Sequence, residues 1–267
     1  MKPKVSVIMG IYNCADTLSE AINSLINQTF KDWELIMCDD GSSDRTLEVA
    51  LMYANKYDNI KVYKNEKNMG LNYTLNHCLK YAQGEYIARM DGDDISLSDR
   101  FKREVDFLDQ HSEYAIVSTP MVYFDDKGDF GVGKQSGEPN VKAFPKGTPF
   151  AHAASMVRKE AYDRVEGYTV VNEYLRVEDW HLWIKMYSKG YKGYNLSEPL
   201  YKMRDDRNAT NRRKFKYRLN EMRVSAFAVK ELGLSCWNYI YVLRSLIIGL
   251  IPKSLYEALH KKKIETK

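Results

Sequence analysis

The hexapeptide RMDGDD, Arg89 to Asp94, crowds three carboxylates (Asp91, Asp93 and Asp94) into four positions. Like charges at that spacing repel, and each costs free energy to dehydrate. A solvated turn of Asp and Gly would account for an isolated Asp-x-Asp. This cluster, however, directly follows GEYIA, which reads as a buried strand. A hard divalent cation would resolve the repulsion. Mg²⁺ or Mn²⁺ takes carboxylate oxygens and keeps positions open for the phosphate oxygens of a substrate. The chemistry suggested is a metal that holds a diphosphate.

Two further acids, Asp39 and Asp40, precede GSSDRT. Ser42, Ser43 or Asp44 can cap the helix that follows, which leaves the acids before Gly41 without a capping role. A carboxylate at a strand end can accept a hydrogen bond from the imide N–H of uracil. In VSVIMGIYN, Tyr12 would come beside Asp40 if the first two strands are neighbours, where its ring could stack on a base. Gly10 would let a ligand approach the backbone closely. The chain lacks a G-x-G-x-x-G after this strand, which argues against a dinucleotide site. In VEDW, Glu178 and Asp179 open a helix. The macrodipole favours acids there and by itself would account for both.

These residues need elements to hold them. KVSVIM, WELIMC, IKVYK and EYIARM read as strands. Between them lie a helix with Leu18, Ile22, Leu25 and Ile26 on its apolar face, capped by Asp16, a helix with Leu47, Val49, Ala50 and Tyr53, and the helix LNYTLNHCLKYA. Strand–helix alternation predicts an α/β domain with a mostly parallel sheet, flanked by helices. Ligands of such sheets bind beyond the carboxyl ends of the strands, so both acid clusters would face one crevice. The second half is less regular. Lys127 to Pro149 reads as loops and short strands, ASMVR and EPLYKMR as strands, and VEDWHLWIKMYSKG as a helix with Trp180, Trp183, Ile184 and Tyr187 on one side and Gly190 as its stop. Helix is expected from Thr210 onward.

At 267 residues, 44% hydrophobic and 28% charged, the chain can bury a full core. A net charge of +4 does not argue for a nucleic-acid partner. Cys14, Cys38, Cys78 and Cys236 form no C-x-x-C pair, which disfavours a zinc site or disulfide framework and fits a reducing, cytoplasmic setting. The N-terminal apolar run is strand-length and lacks a signal-peptide cleavage pattern.

In order, V-S-V-I-M-x-x-Y-N, D-D-G-S-S-D-R-T, N-x-G-L, G-E-Y-I-A-R-M-D-G-D-D and E-D-W resemble an inverting family 2 glycosyltransferase of the GT-A fold, over roughly Lys4 to Arg204. The ARMDGDD form is similar to bacterial enzymes that build capsular, exopolysaccharide or O-antigen repeat units. The resemblance implies that Gly10, Tyr12 and Asp40 contact the nucleotide, with Asp39 beside them and Asn13, Asp91 and Gly92 in the same set. It implies a metal, Mn²⁺ or Mg²⁺, at Asp91 and Asp93, with Asp93 the stronger claimant to direct contact, and Asp179 as the catalytic base. It divides the chain into a GT-A domain over 1–215 and a helical tail over 216–267. The nucleotide-sugar half is about 1–110 and the acceptor half about 111–215.

The sequence also departs from the family pattern. Met-Gly-Ile-Tyr replaces the commoner Pro-Thr-Tyr or Thr-Ser-Tyr, NMGLNYTLN lacks a Ser-x-Ala-Arg-Asn segment, and His181 stands where an acid is common. Without a Q-x-x-R-W, a processive synthase is not expected. The reaction implied is sugar transfer from a nucleoside-diphosphate sugar, with UDP the expected nucleotide, to a saccharide acceptor carried on a polyprenyl diphosphate. Arg204, Arg207, Arg212 and Arg213 are candidates for diphosphate contacts, or part of a solvated basic surface. His152 either lines the acceptor pocket or is a buried structural residue. A sugar-1-phosphate nucleotidyltransferase would want a G-x-G-T-R-like loop, which MGIYNCAD lacks. A non-catalytic saccharide-binding module would not need Asp91, Asp93 and Asp179.

Leu232 to Ile251 is long enough to span a bilayer, but Arg244 near its middle would cost about 2.5–3.5 kcal/mol there. With lysines following, the stretch reads as an interfacial helix on an anionic leaflet, placing the enzyme peripherally on the inner face of the plasma membrane. The alternatives are packing on its own core or in a homodimer.

Overall fold

The computed structural model describes residues 2–205, 216–244 and 247. Strands β1 (Val5–Ile11), β2 (Trp33–Asp39), β3 (Ile60–Lys64) and β4 (Tyr86–Arg89) alternate with helices α1 (Ala15–Ile26), α2 (Thr46–Lys56) and α3 (Leu71–Leu79), as the hydrophobic pattern predicts. There follow β5 (Ile95–Ser96), α4 (Arg100–Gln110), β6 (Ile116–Ser118), β7 (Met121–Asp125), β8 (Gly128–Val132), β9 (Ser155–Arg158), α5 (Lys159–Arg164), α6 (Glu178–Ser188), β10 (Gly193–Asn195), β11 (Tyr201–Arg204) and α7 (Lys216–Glu231).

The main sheet runs β10-β6-β9-β4-β1-β2-β3. β1 pairs in parallel with β2 and β4, and β2 with β3. β9 alone runs antiparallel, between β4 and β6. All seven residues of β2 are buried, which is what a parallel strand covered on both faces requires. A smaller sheet, β5-β11-β7-β8, stands beside the main one.

Two cores flank the main sheet. One gathers Val7, Met9, Leu18, Ile22, Leu35 and Phe101. The other centres on Trp183, Ile8, Ile36, Phe150 and Val157. Helix α7 contributes Val224 and Ala228 to the second core, and its Ser225 hydroxyl donates to the Pro145 carbonyl at 2.7 Å. The helix that opens the 216–267 segment therefore packs on the same body as α6.

Several local expectations change. Helix α1 starts after Cys14, and Asp16 lies within its first turn without capping it. Its first N–H groups are instead satisfied from the neighbouring loop: Cys14 N–H donates to Thr46 Oγ1 at 2.8 Å and Ala15 N–H to Asp44 Oδ2 at 3.2 Å. Helix α4 escapes sequence reading because its apolar positions Phe101, Val105 and Leu108 are interrupted by Arg100 and Glu104, a fully buried ion pair at 3.1 Å. Burial pushes the Glu104 carboxyl up to about 7, although the Arg100 charge opposes the shift.

The turn before β4 is sterically closed. A Cβ on Gly84 would lie 2.5 Å from Ser6 N and 2.8 Å from Val5 C, both backbone atoms of β1. Gly84→Ala must displace that backbone, so it should destabilise the protein by about 1–3 kcal/mol. A lowered midpoint in urea unfolding checks this, and an unchanged midpoint contradicts it.

Candidate active site

The loops at the carboxyl ends of β1 and β2 are laced together. Asn13 takes a left-handed φ of 47°, a conformation asparagine tolerates better than most residues. Its Oδ1 accepts from Ser43 N–H at 2.8 Å, and its own N–H donates to Ser42 Oγ at 3.0 Å. Ser42 in turn donates through its hydroxyl (2.5 Å) and its N–H (3.1 Å) to the two oxygens of buried Asp39. Tyr12 is 49% exposed, and the Ile11 carbonyl just before it accepts from Asp40 N–H at 2.9 Å.

Asp40 is buried, and its carboxylate already has three donors. Asn65 Nδ2 and Met69 N–H each reach Oδ1 at 2.8 Å, and Gly70 N–H reaches Oδ2 at 2.9 Å. With two lone pairs per oxygen, one acceptor direction on Oδ2 is left for a ligand. A cavity of about 180 Å³ adjoins this loop, lined by Met69, Gly70, Asn72, Val171 and Leu175 among others.

The glycines have packing reasons. A Cβ on Gly10 would lie 3.2 Å from Leu71 Cδ1 and from Thr74 Cγ2, so its bare Cα serves the contact of β1 with α3. A Cβ on Gly92 would lie 2.8 Å from Cys14 Sγ, which seats the acidic loop on the start of α1.

The acidic cluster at the end of β4 divides into three environments. Asp91 is gripped in a bidentate pair by Arg89, at 2.5 and 2.6 Å. Asp94 is buried and structural: the Tyr201 hydroxyl donates to it at 2.9 Å and the Arg204 N–H at 2.8 Å. Burial, then the charges of Asp91 and Asp93, hold its carboxyl well above the usual range. Asp93 lies exposed, and no side-chain donor engages its carboxylate. The surrounding protein, then the Asp91 charge, raises it from the ordinary value.

That geometry bears on a metal. No group of three or more His, Cys, Asp or Glu among the described residues could enclose an ion. One uncommitted carboxylate in an open position nevertheless suits Mg²⁺ or Mn²⁺, which are bound through one or two carboxylates plus substrate phosphates. Asp93 fits that role directly. Asp91 fits it only while sharing its charge with Arg89.

Asp179 enters on the first turn of α6, within reach of the Arg89 charge. Arg176, two residues before Glu178, takes a φ of 69°, which turns the chain sharply into the helix. Burial raises the Asp179 carboxyl, against the opposing effects of the Trp180 N–H, the Thr148 hydroxyl and the Arg89 charge. Glu178 is raised as well, by burial and then by the Asp179 charge, and its Oε2 has no hydrogen-bond partner.

Arg89 is the residue that sequence reasoning missed. It is 4% exposed and belongs to a strand, so only its place before the acids hinted at a role. Burial works against its charge, but Asp91 more than compensates and holds the guanidinium well above its ordinary value. Its field reaches Asp93, His152, Tyr168, Glu178 and Asp179.

The remaining candidates sort as follows. His152 is half-buried, with Nε2 2.7 Å from the Tyr168 hydroxyl and its ring against Trp183. Burial, then Arg89, keeps it neutral, with its pKa well below the usual histidine range. His181 faces no ligand; it is stacked between Tyr174 at 3.8 Å and Phe227 at 4.6 Å where α6 meets α7. Arg204 is occupied by Glu20 at 2.5 Å, the Asp93 carbonyl at 3.1 Å and the Phe124 ring at 4.5 Å. It therefore braces the acidic loop and is not a free phosphate ligand. Arg207, Arg212 and Arg213 lie outside the described residues.

Arg89→Met would leave Asp91 facing Asp93 and Asp94 without its counter-ion. Because Asp91 is partly exposed, the expected loss of stability is about 1–3 kcal/mol at neutral pH. Without that cation, Asp93 and Asp94, already raised, would hold protons still more tightly folded than unfolded, so the deficit should shrink from pH 8 to pH 5. Urea unfolding at both values tests the sign.

Comparison with known proteins agrees with this geometry. Residues 6–166 match the family described as Glycosyl transferase family 2. The chain is 44% identical over 263 residues to EpsE of Bacillus subtilis (strain 168), covering 98% of this chain and 95% of that protein. It is 32% identical over 269 residues to UDP-Gal:alpha-D-GlcNAc-diphosphoundecaprenol beta-1,3-galactosyltransferase of Escherichia coli, covering 98% and 97%. The fold matches the crystal structure of S. aureus TarS 1-349 in complex with UDP-GlcNAc at a TM-score of 0.71 and 22% identity, covering 92% of this chain and 72% of that one. The strand order, the acid-lined crevice and these likenesses lead to one assignment: the chain belongs to glycosyltransferase family 2 and is a glycosyltransferase with the GT-A fold.

Proposed function

We propose that this glycosyltransferase inverts configuration, uses a UDP-sugar and a divalent cation, and extends a saccharide on a polyprenyl diphosphate during bacterial surface polysaccharide synthesis. The observation that carries the reading is that one buried cation, Arg89, acts on both Asp93, exposed and uncommitted after β4, and Asp179, half-buried and raised at the start of α6. The E. coli relative is named for a UDP-sugar donor and a diphosphoundecaprenol acceptor, which supports the choice of substrates.

The residues divide the work. Tyr12 stacks on the base, the free lone pair of Asp40 accepts its imide N–H, and the Asn13 and Asp39 network holds both loops still. Asp93, with Asp91 beside it, would hold the cation, which when bound would supply positive charge against the leaving diphosphate. Asp179 takes the proton of the acceptor hydroxyl as its oxygen attacks the anomeric carbon in line. A diphosphate is a competent leaving group, so one base suffices where a glycosidase needs two carboxyls. Burial makes Asp179 a stronger base than an exposed aspartate, while the Arg89 charge limits that rise.

The apolar residues Trp237, Ile240, Leu243 and Ile247 are 85%, 69%, 54% and 62% exposed after α7. Their spacing favours one face resting on an anionic leaflet, beside Arg244 and Lys146, where the acceptor's lipid would lie. No helix among the described residues is long and apolar enough to cross a membrane. The part of this stretch beyond Ile247, and the lysines after it, lie outside the described residues.

Three variants test the site. Asp179→Asn should lower transfer by roughly 10²–10⁴ with UDP affinity little changed. Asp93→Asn should weaken both transfer and Mn²⁺-dependent UDP binding, read by calorimetry with and without chelator. Glu178→Gln should retain transfer. Because Asp179 is raised, transfer should fall with decreasing pH at values above the ordinary aspartate value of 3.8. Glu178→Gln removes a neighbouring like charge and should move that limb to lower pH. An inactive Glu178→Gln beside an active Asp179→Asn would reassign the base.

Replacing both Trp237 and Ile240 by serine should leave folding intact and release the protein from phosphatidylglycerol liposomes in a sedimentation assay. Unchanged sedimentation would remove this face from membrane contact.

A further inference from the structure

The Asp40 carboxylate is set by a polar chain that runs beneath it into α3. Asn65, 7% exposed at the end of β3, uses its whole side-chain amide. Its Nδ2 donates to Asp40 Oδ1 at 2.8 Å and to Thr74 Oγ1 at 2.9 Å. Its Oδ1 lies 2.9 Å from His77 Nδ1 and 3.5 Å from Cys38 Sγ. The hydroxyl of Thr74 donates onward to the Gly70 carbonyl at 3.0 Å, and Gly70 N–H returns to Asp40 Oδ2 at 2.9 Å. Asp40, Asn65, Thr74 and Gly70 thus close a ring of hydrogen bonds.

The direction of every bond in that ring follows from one charge. Asp40 can only accept, so the amide nitrogen of Asn65 must face it, and a flipped amide would set oxygen against carboxylate. The amide oxygen is then turned to α3, where it can only accept. His77 must present Nδ1–H to it; the other neutral tautomer would set two lone pairs face to face. Burial, then the Lys80 charge, lowers the His77 pKa, so the neutral Nδ1–H form serves at physiological pH.

We propose that Asn65 and His77 are positioning residues for the donor base: they aim the remaining lone pair of Asp40 at a group that donates a proton there, and so make the enzyme select uracil over cytosine. This rests on the reading of Asp40 as the base-facing carboxylate. Uracil carries an N–H at ring position 3, and cytosine carries a lone pair there. A carboxylate held in one orientation attracts the first and repels the second. A carboxylate free to rotate or to pick up a proton discriminates less.

The test is calorimetry of UDP and CDP, each with Mn²⁺, on the full chain and four variants, beside thermal unfolding of each. Asn65→Leu should lower the preference for UDP over CDP by about tenfold or more, the scale of a lost hydrogen bond to a charged group. His77→Leu should lower it in the same direction. His77→Asn, whose amide N–H can stand in for Nδ1–H, should restore the preference. Asp40→Asn should abolish or invert it. If Asn65→Leu and His77→Leu only lower the melting temperature and keep the wild-type preference, while Asp40→Asn loses it, the pair is merely structural and the proposal is wrong. If Asp40→Asn itself keeps the preference, the base-facing reading of Asp40 has failed and the proposal falls with it.

Discussion

One buried cation organises the crevice. Arg89 leaves β4 pointing into a region that also holds Asp91, Asp93, Glu178 and Asp179. Four carboxylates in so small a space repel one another, and that repulsion favours taking up protons. The guanidinium opposes this from a fixed position: its bidentate grip on Asp91 prevents it from swinging toward whichever acid is nearest. The arrangement also sorts the acidic cluster. Since Asp91 is engaged, Asp93 alone of the cluster stands uncommitted, and Asp94 is drawn inward by Tyr201 and Arg204.

Tyr201 and Arg204 belong to β11, more than a hundred residues beyond the acids they hold. Their strand pairs with β5, directly after the acidic loop, and with β7. The small second sheet is therefore a brace for the acidic loop after β4. Arg204 extends the brace to α1 through Glu20 and to the β7–β8 turn through Asp126. On the opposite wall, α7 supports α6 and the segment before it. Asn220 Nδ2 donates to the carbonyls of Asn172 and Leu175 at 3.1 Å, holding the turn that delivers Glu178 and Asp179. Each half of the site thus depends on chain that follows it by tens of residues.

The wall formed by the first three strands and α3 is built more locally. β1, β2, β3 and α3 are consecutive, and their connecting loops satisfy one another's polar groups: Asn13 with Ser42 and Ser43, Asp44 and Thr46 with the start of α1, Asp40 with Asn65, Met69 and Gly70. Buried loops of this kind are stable only when such groups are paired, and here the pairing leaves a shaped surface with Tyr12 exposed on it.

The alternation of apolar strands with amphipathic helices through residue 90 was legible in the residues alone, because a parallel strand covered on both faces must be almost wholly apolar, as β2 is. So was the placing of the acid clusters at strand carboxyl ends, where β2 and β4 stop. Helix α4 was hidden because its stripe carries Arg100 and Glu104, which only a partner-filled interior makes compatible with burial. The division of labour among Asp91, Asp93 and Asp94 could not be read from their order, since it turns on distant Tyr201 and Arg204. Nor could the spacing of Arg89 and Asp179 along the chain reveal that they share one electrostatic environment. Local pattern determines which elements form, because periodicity is a property of neighbouring residues. Which carboxylate stays free and which is neutralised is decided by charges brought together across the fold, and only the tertiary structure sets those distances.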